Sequence, residues 1–175
     1  MSTDKLKISG EIFGYLQNPL KDEMGNYMVD KDGKIIYDEP VLVDHKKNAI
    51  GARLYRACAR ALASGVFRGE DGGSADQPVS YLAFVTTGNT VFNGKRNSDD
   101  LTGVDLSSGG TGADPYAEFE AYHIAESSIT IETVRISHEE QFSAGVVWYA
   151  DATVSRPLVQ DQKYTVRYRI TFQAA

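Results

Sequence analysis

Apolar and polar residues alternate one by one through several stretches of this chain. In 6-LKISGEIFGYL-16, Leu6, Ile8, Ile12 and Leu16 share one phase, which Gly10 and Gly14 complete, while Lys7, Ser9 and Glu11 hold the other. A period of two predicts a β-strand with one buried face. Phe13 and Tyr15 interrupt the polar phase, so the far end of this strand is expected to be covered on both sides. The stretch 164-YTVRYRITF-172 alternates without a fault, and 146-VVWYADATV-154 sets Val146, Trp148, Ala150, Ala152 and Val154 on one side. Ile129, Ile131, Val134 and Ile136 change phase near Thr133, which predicts a bulge. The apolar run 79-VSYLAFVTTG-88 predicts a buried strand. Two short β-prone runs, Tyr27–Val29 and Lys34–Tyr37, flank Asp32-Gly33 and predict a hairpin.

One stretch has a different period. Ile50, Leu54, Ala57, Cys58, Ala61 and Leu62 follow the i, i+4, i+7, i+8 spacing of an apolar helix face. Asn48 is placed to cap its start and Gly65 to end it, which predicts a helix over about 49–64. Glycine-rich polar stretches, 69-GEDGGSADQP-78 and 103-GVDLSSGGTGADP-115, predict loop insertions at about 66–78 and 93–115. Strands dominate, no βα rhythm exists and no fixed-period repeat is evident. The expected architecture is a mainly β, antiparallel β-sandwich over 1–175, a single domain with one amphipathic helix packed on a sheet.

With 175 residues and a net charge of −6, the chain has room for one core and no general attraction to nucleic acid or anionic lipid. No nucleic-acid or membrane partner is expected. Its one cysteine, Cys58, cannot close an intrachain disulfide, and MSTDKLKIS lacks the features of a secretory leader, so folding in a cytosol is expected.

Catalytic chemistry has little to build on. Cys58 falls on the apolar helix face, where thiols are inert core residues. His45, His123 and His138 are scattered without zinc-ligand spacing, and 108-SGGTGAD-114 lacks the GK[ST] ending of a phosphate loop. Asp30, Asp32 and Gly33 match only the start of a calcium loop. We therefore expect no enzymatic activity, no catalytic, cofactor-binding or metal-ligating residues, and no cofactor. The concentrated basic feature is Lys46, Lys47, Arg53, Arg56 and Arg60, and Arg167 and Arg169 lie on the polar phase of the last strand. Arg53, Arg56, Arg60, Arg167 and Arg169 are the candidate contacts for a partner protein.

The order of segments also carries information. "KISGEIFGYL" opens the chain, "VDHKKNAIGARLYRACARALASG" takes a Lys-Asn step into an Ala-rich stretch, "VSYLAFVTTGNTV" follows, and "RPLVQDQKYTVRYRITFQA" closes it. This order resembles small structural proteins of tailed bacteriophage virions. The resemblance implies a non-enzymatic capsid-surface, neck or tail subunit, made in the host cytoplasm and located in the virion. Its implied partners are copies of itself and other virion proteins. The alternative is a carbohydrate- or receptor-binding module of a phage fibre, with Tyr15, Tyr27, Tyr37, Tyr149 and Tyr164 as stacking surfaces. Whatever the function, Leu54→Asp should place an unpaired charge in a packed face and unfold the domain. Loss of the cooperative thermal transition is the expected result.

Overall fold

The structure is a computed structural model and describes residues 6–50, 54–55, 81–87, 91–95, 116–137 and 148–174. The alternating segments form strands, as their period requires. In chain order they are β1 (Leu6–Gln17), β2 (Val41–Ala49), β3 (Tyr81–Thr86), β4 (Val91–Lys95), β5 (Tyr116–Ile124), β6 (Ile129–Ser137), β7 (Trp148–Leu158) and β8 (Lys163–Ala174). They build two antiparallel four-stranded sheets, ordered β2-β1-β8-β5 and β4-β3-β6-β7. Ile12, Val166 and Tyr168 of the first sheet share one buried cluster with Phe84, Val134 and Ile136 of the second. The inward phases of β1 and β8 are those expected from the sequence, and β3 is buried on both faces, with Ala83 and Val85 as enclosed as Leu82 and Phe84.

Inside this apolar cluster lies a polar clamp. Asp44 of β2 is 6% exposed, so its charge needs partners. Arg156 of β7 donates Nε to Asp44 Oδ2 at 2.9 Å and Nη2 to Oδ1 at 3.0 Å, and also reaches the Val43 carbonyl at 2.8 Å. The hydroxyl of Tyr164, itself fully buried, donates to Asp44 Oδ2 at 2.9 Å. Burial first, and the adjacent Asp44 carboxylate second, hold the Tyr164 phenol far above its ordinary range. One carboxylate thus ties both sheets together.

Glycines make the clamp possible. Gly14 of β1 lies between Asp44 and Val166 in the ladder, and a Cβ there would fall under 3.0 Å from the Tyr164 hydroxyl. The bare backbone lets the tyrosine pass over β1 to the aspartate. Four residues away the device recurs: Asn48 donates Nδ2 to the Tyr168 hydroxyl at 2.5 Å and to the Asp151 carbonyl of β7 at 2.8 Å, over Gly10. Both inward glycines of β1 therefore leave room for contacts of their neighbours.

The bulge expected near Thr133 is present. Register shifts on both sides of β6 between Ile131 and Thr133, and Ser155 of β7 takes a positive φ of 55° opposite it. Ser155 Oγ and Thr87 Oγ1 each donate to Glu132 at 2.9 Å, holding the irregularity in place.

The helix expected over 49–64 is not seen among the described residues. Ala49 closes β2, and Asn48 is a strand residue rather than a cap, because its amide finds two acceptors between the sheets. Of that span only Ile50, Leu54 and Tyr55 are further described: Ile50 and Leu54 are buried in the core, Leu54 and Tyr55 have helical backbone, and Tyr55 hydrogen-bonds the Ile8 backbone through its hydroxyl. The loop insertion at 66–78 lies outside the described residues, and Asn93–Lys95 of the 93–115 insertion belong to β4.

Breaking the clamp on one side should cost far more than removing it whole. We expect Arg156→Met to destabilise by about 3–5 kcal/mol by stranding the Asp44 charge, and Asp44→Leu/Arg156→Met to recover much of that loss, in urea denaturation at neutral pH.

Candidate interaction surface

Between β1 and β2 the chain forms an arm whose construction follows from a repeated local signal. Aspartate accepts hydrogen bonds from backbone N–H groups two and four residues on, and glycine takes the left-handed position that closes such a turn. Asp22 Oδ1 accepts from the N–H of Met24 at 2.9 Å and of Asn26 at 2.8 Å, with Gly25 at φ 85°. Asp30 Oδ1 accepts from Asp32 at 2.8 Å and Lys34 at 2.9 Å, with Gly33 at φ 77°. These bonds hold both carboxyl pKa values below the ordinary range, led by the bonds from Asn26 and Lys34 respectively. The hairpin expected at Asp32-Gly33 is one of a matched pair.

The turns are eight residues apart, and the arm closes on a third unit. Leu20 N–H donates to Ile36 O at 2.8 Å, Ile36 N–H to Met28 O at 2.9 Å, and Met28 N–H to Leu20 O at 2.9 Å. The bonds form a circle. Around it, Asp22, Asp30 and Asp38 donate their N–H groups to the carbonyls of Asn26, Lys34 and Asn18. Asp38 Oδ1 accepts from the Asn18 N–H at 2.7 Å, so the third aspartate does for the start of the arm what the other two do for the residue four ahead. The bridges Lys21–Tyr27, Val29–Ile35 and Pro19–Tyr37 obey the same threefold relation. A fixed-period repeat therefore exists, contrary to the sequence expectation: 20-LKDEMGNY-27, 28-MVDKDGKI-35, and then 36-IYDE-39 before Pro40 leads out to β2. Spacing of Asp-x-x-Gly at 22–25 and 30–33 was the available signal.

The circle is fastened to the body. The Tyr27 hydroxyl donates to the Asp161 carboxylate, Gln162 Nε2 donates to Asn18 Oδ1 at 2.8 Å, and Lys163 Nζ lies over the rings of Tyr37 and Tyr122 at 5.7 and 4.7 Å. Every one of these contacts comes from the β7–β8 turn or the first residue of β8. So held, the arm still leaves large apolar side chains in water: Met24 is 84% exposed, Val29 53%, Met28 43% and Leu20 36%. The arm's backbone is thus hydrogen-bonded within itself while its large apolar side chains stand exposed.

The outer face of the first sheet has the opposite character. Arg167 pairs with Glu120 and lies over Tyr15 at 5.5 Å; Arg169 pairs with Glu118 at 2.8 Å and lies over Phe13 at 5.2 Å and Tyr116 at 4.5 Å. Phe13 stacks on His45 at 4.7 Å, and His45 meets Glu11 at 2.6 Å. Both candidate arginines of β8 are thus engaged within the sheet, while Arg53, Arg56 and Arg60 lie outside the described residues. The tyrosines expected to stack sugars are occupied too. Cations cover Tyr15, Tyr27 and Tyr37, Tyr164 is buried, and the Tyr149 side chain lies outside the described part.

The histidines are placed apart. His45 sits on the outer sheet face, His123 lies 6.1 Å from the Phe84 ring with its pKa lowered by burial, and His138 lies outside the described residues. Among the described residues no three His, Cys, Asp or Glu gather where they could hold a metal. An open groove of about 590 Å³ between the ends of β3, β6 and β7 is lined by Thr86, Thr87, Ser128, Thr130, Pro157 and Val159 among others, none of them ionisable. Searches of protein-family models, curated proteins and solved structures found no match to the chain.

If the Asp38 closure completes the circle, Asp38→Ala should open it without disturbing the core. Hydrogen exchange at the amides of Leu20, Met28 and Ile36 is expected to quicken at least tenfold, with β1 and β8 amides unchanged.

Proposed function

We propose that this protein is a non-enzymatic structural subunit of a tailed-phage particle, a capsid-surface, neck or tail component. In this reading the two sheets make a β-sandwich scaffold, and the arm is the part that meets neighbours. Copies of the chain and other virion proteins are the partners, and the virion is the location.

The observation that carries the assembly role is the arm's combination of closed backbone and outward apolar side chains. Flexible loops lose conformational entropy when they bind, at about 1–2 kcal/mol per ordered residue. A closed circle has already lost it. Association then needs mainly the removal of Met24, Met28 and Val29 from water, which stabilises at roughly 25 cal/mol per Å². The order of sequence segments, which resembles virion proteins, supports the placement in a phage.

Mass spectrometry of purified particles should find the protein. A Met28→Asp/Val29→Asp variant should fold with the wild-type melting temperature, since both side chains are already exposed, and be absent from particles. Incorporation of that variant at wild-type levels would overturn the assembly role of the arm.

A further inference from the structure

The methionines of this chain are unevenly placed. Of the three, Met1 opens the sequence, and the other two, Met24 and Met28, both lie in the arm. Met24 is 84% exposed and Met28 43%. The shared core is built from Ile, Leu, Val, Ala, Phe and Tyr, with no methionine among its described members. A flexible thioether is ordinarily a filler of irregular gaps in such interiors. Here it is kept out of the interior and set in water.

The arm's hydrogen bonds make no use of either side chain. Met24 donates its N–H to Asp22 Oδ1 at 2.9 Å, and Met28 joins the circle through its backbone, donating to Leu20 O and accepting from Ile36 N–H. Chemistry at the two sulfurs therefore leaves the turn and the circle intact. Exposure opens both to a small neutral oxidant such as hydrogen peroxide. A sulfur lone pair attacks one peroxide oxygen, the S–O bond forms as the O–O bond breaks, and the departing hydroxide takes the remaining proton to leave as water. Sulfur loses two electrons, peroxide gains them, and an apolar thioether becomes a polar sulfoxide.

We infer that Met24 and Met28 are a peroxide-sensitive modification site that switches off docking by the arm, which rests on the assembly role proposed above and adds its regulation. On the free subunit a sulfoxide stays hydrated, so the fold is indifferent to it. On docking, the same group must leave water, and an S=O without a hydrogen-bond donor is costly to bury. The modification thus weakens the docked state and spares the folded one. It is also reversible, because methionine sulfoxide reductases restore the thioether at the expense of a thiol, one enzyme for each sulfoxide epimer. Met24, the more exposed of the two, is the sulfur oxidised first.

The test compares full-length wild type with Met24→Leu/Met28→Leu, each with and without hydrogen peroxide, for entry into particles that lack the subunit. Peptide mass spectrometry should find one added oxygen on Met24 and then one on Met28, with the thermal melt of the oxidised protein unchanged. Oxidised wild type should enter at least tenfold less than untreated protein, and treatment with both reductases and dithiothreitol should restore entry. The leucine variant should enter equally well with and without peroxide. Entry of oxidised wild type at the untreated level overturns the inference, and the assembly role stands if Met28→Asp/Val29→Asp is still shut out. Exclusion of the peroxide-treated leucine variant overturns it as well, by moving the effect to Cys58 or Met1. So does a melt lowered by oxidation of wild type, which would place the sulfurs in the arm's own packing. Untreated wild type that never enters particles overturns the inference and the assembly role together.

Discussion

A buried carboxylate is the constraint on which the fold turns. Asp44 lies where desolvation would be prohibitive for a lone charge, so Arg156 and Tyr164 must be within reach of it whenever the chain is folded. That requirement reaches backwards into the sequence. Gly14 has no side chain because Tyr164 occupies the space above it, and Arg156 follows a serine in the left-handed region at the β7 irregularity. Hydrophobic burial would bring two such sheets together in many relative positions. Hydrogen-bonded partners for one charge leave few of them acceptable, which is the specifying use of buried polar groups.

The arm and the two sheets obtain order by different means. The sheets rely on a shared apolar cluster that includes Ile12, Phe84, Val134 and Tyr168. Arm residues bury little and rely instead on aspartates that satisfy backbone donors, with Gly25 and Gly33 where the chain must turn left-handed. Because the arm does not need its apolar side chains for its own stability, they are available to neighbours. The link from local turn chemistry to proposed function runs through that division of labour.

Strands with a strict period of two were readable from the sequence. β1 and β8 announce their buried faces residue by residue, and the phase change at Ile131–Val134 marks a true bulge. β5 escaped because 116-YAEFEAYHI-124 mixes apolar and charged residues on its outer face, where Glu118 and Glu120 are spent on Arg169 and Arg167 of β8. The capping role expected of Asn48 was misjudged, because capping propensity is local while its actual partners are 103 and 120 residues away. Sequence windows cannot see such distances. Of the candidate contacts, Arg167 and Arg169 were rightly placed on the outward phase of β8, but their engagement depended on register with β5.

Closure on three units also fixes how this segment can change in length. In an open hairpin array, a further hairpin could be appended at the end. Here the last unit returns to the first, so inserting or deleting one whole octet would leave a broken circumference, whereas extra residues at the tips around Glu23 and Lys31 would merely lengthen a spoke. Variation in this region should therefore collect at the spokes and spare the hub.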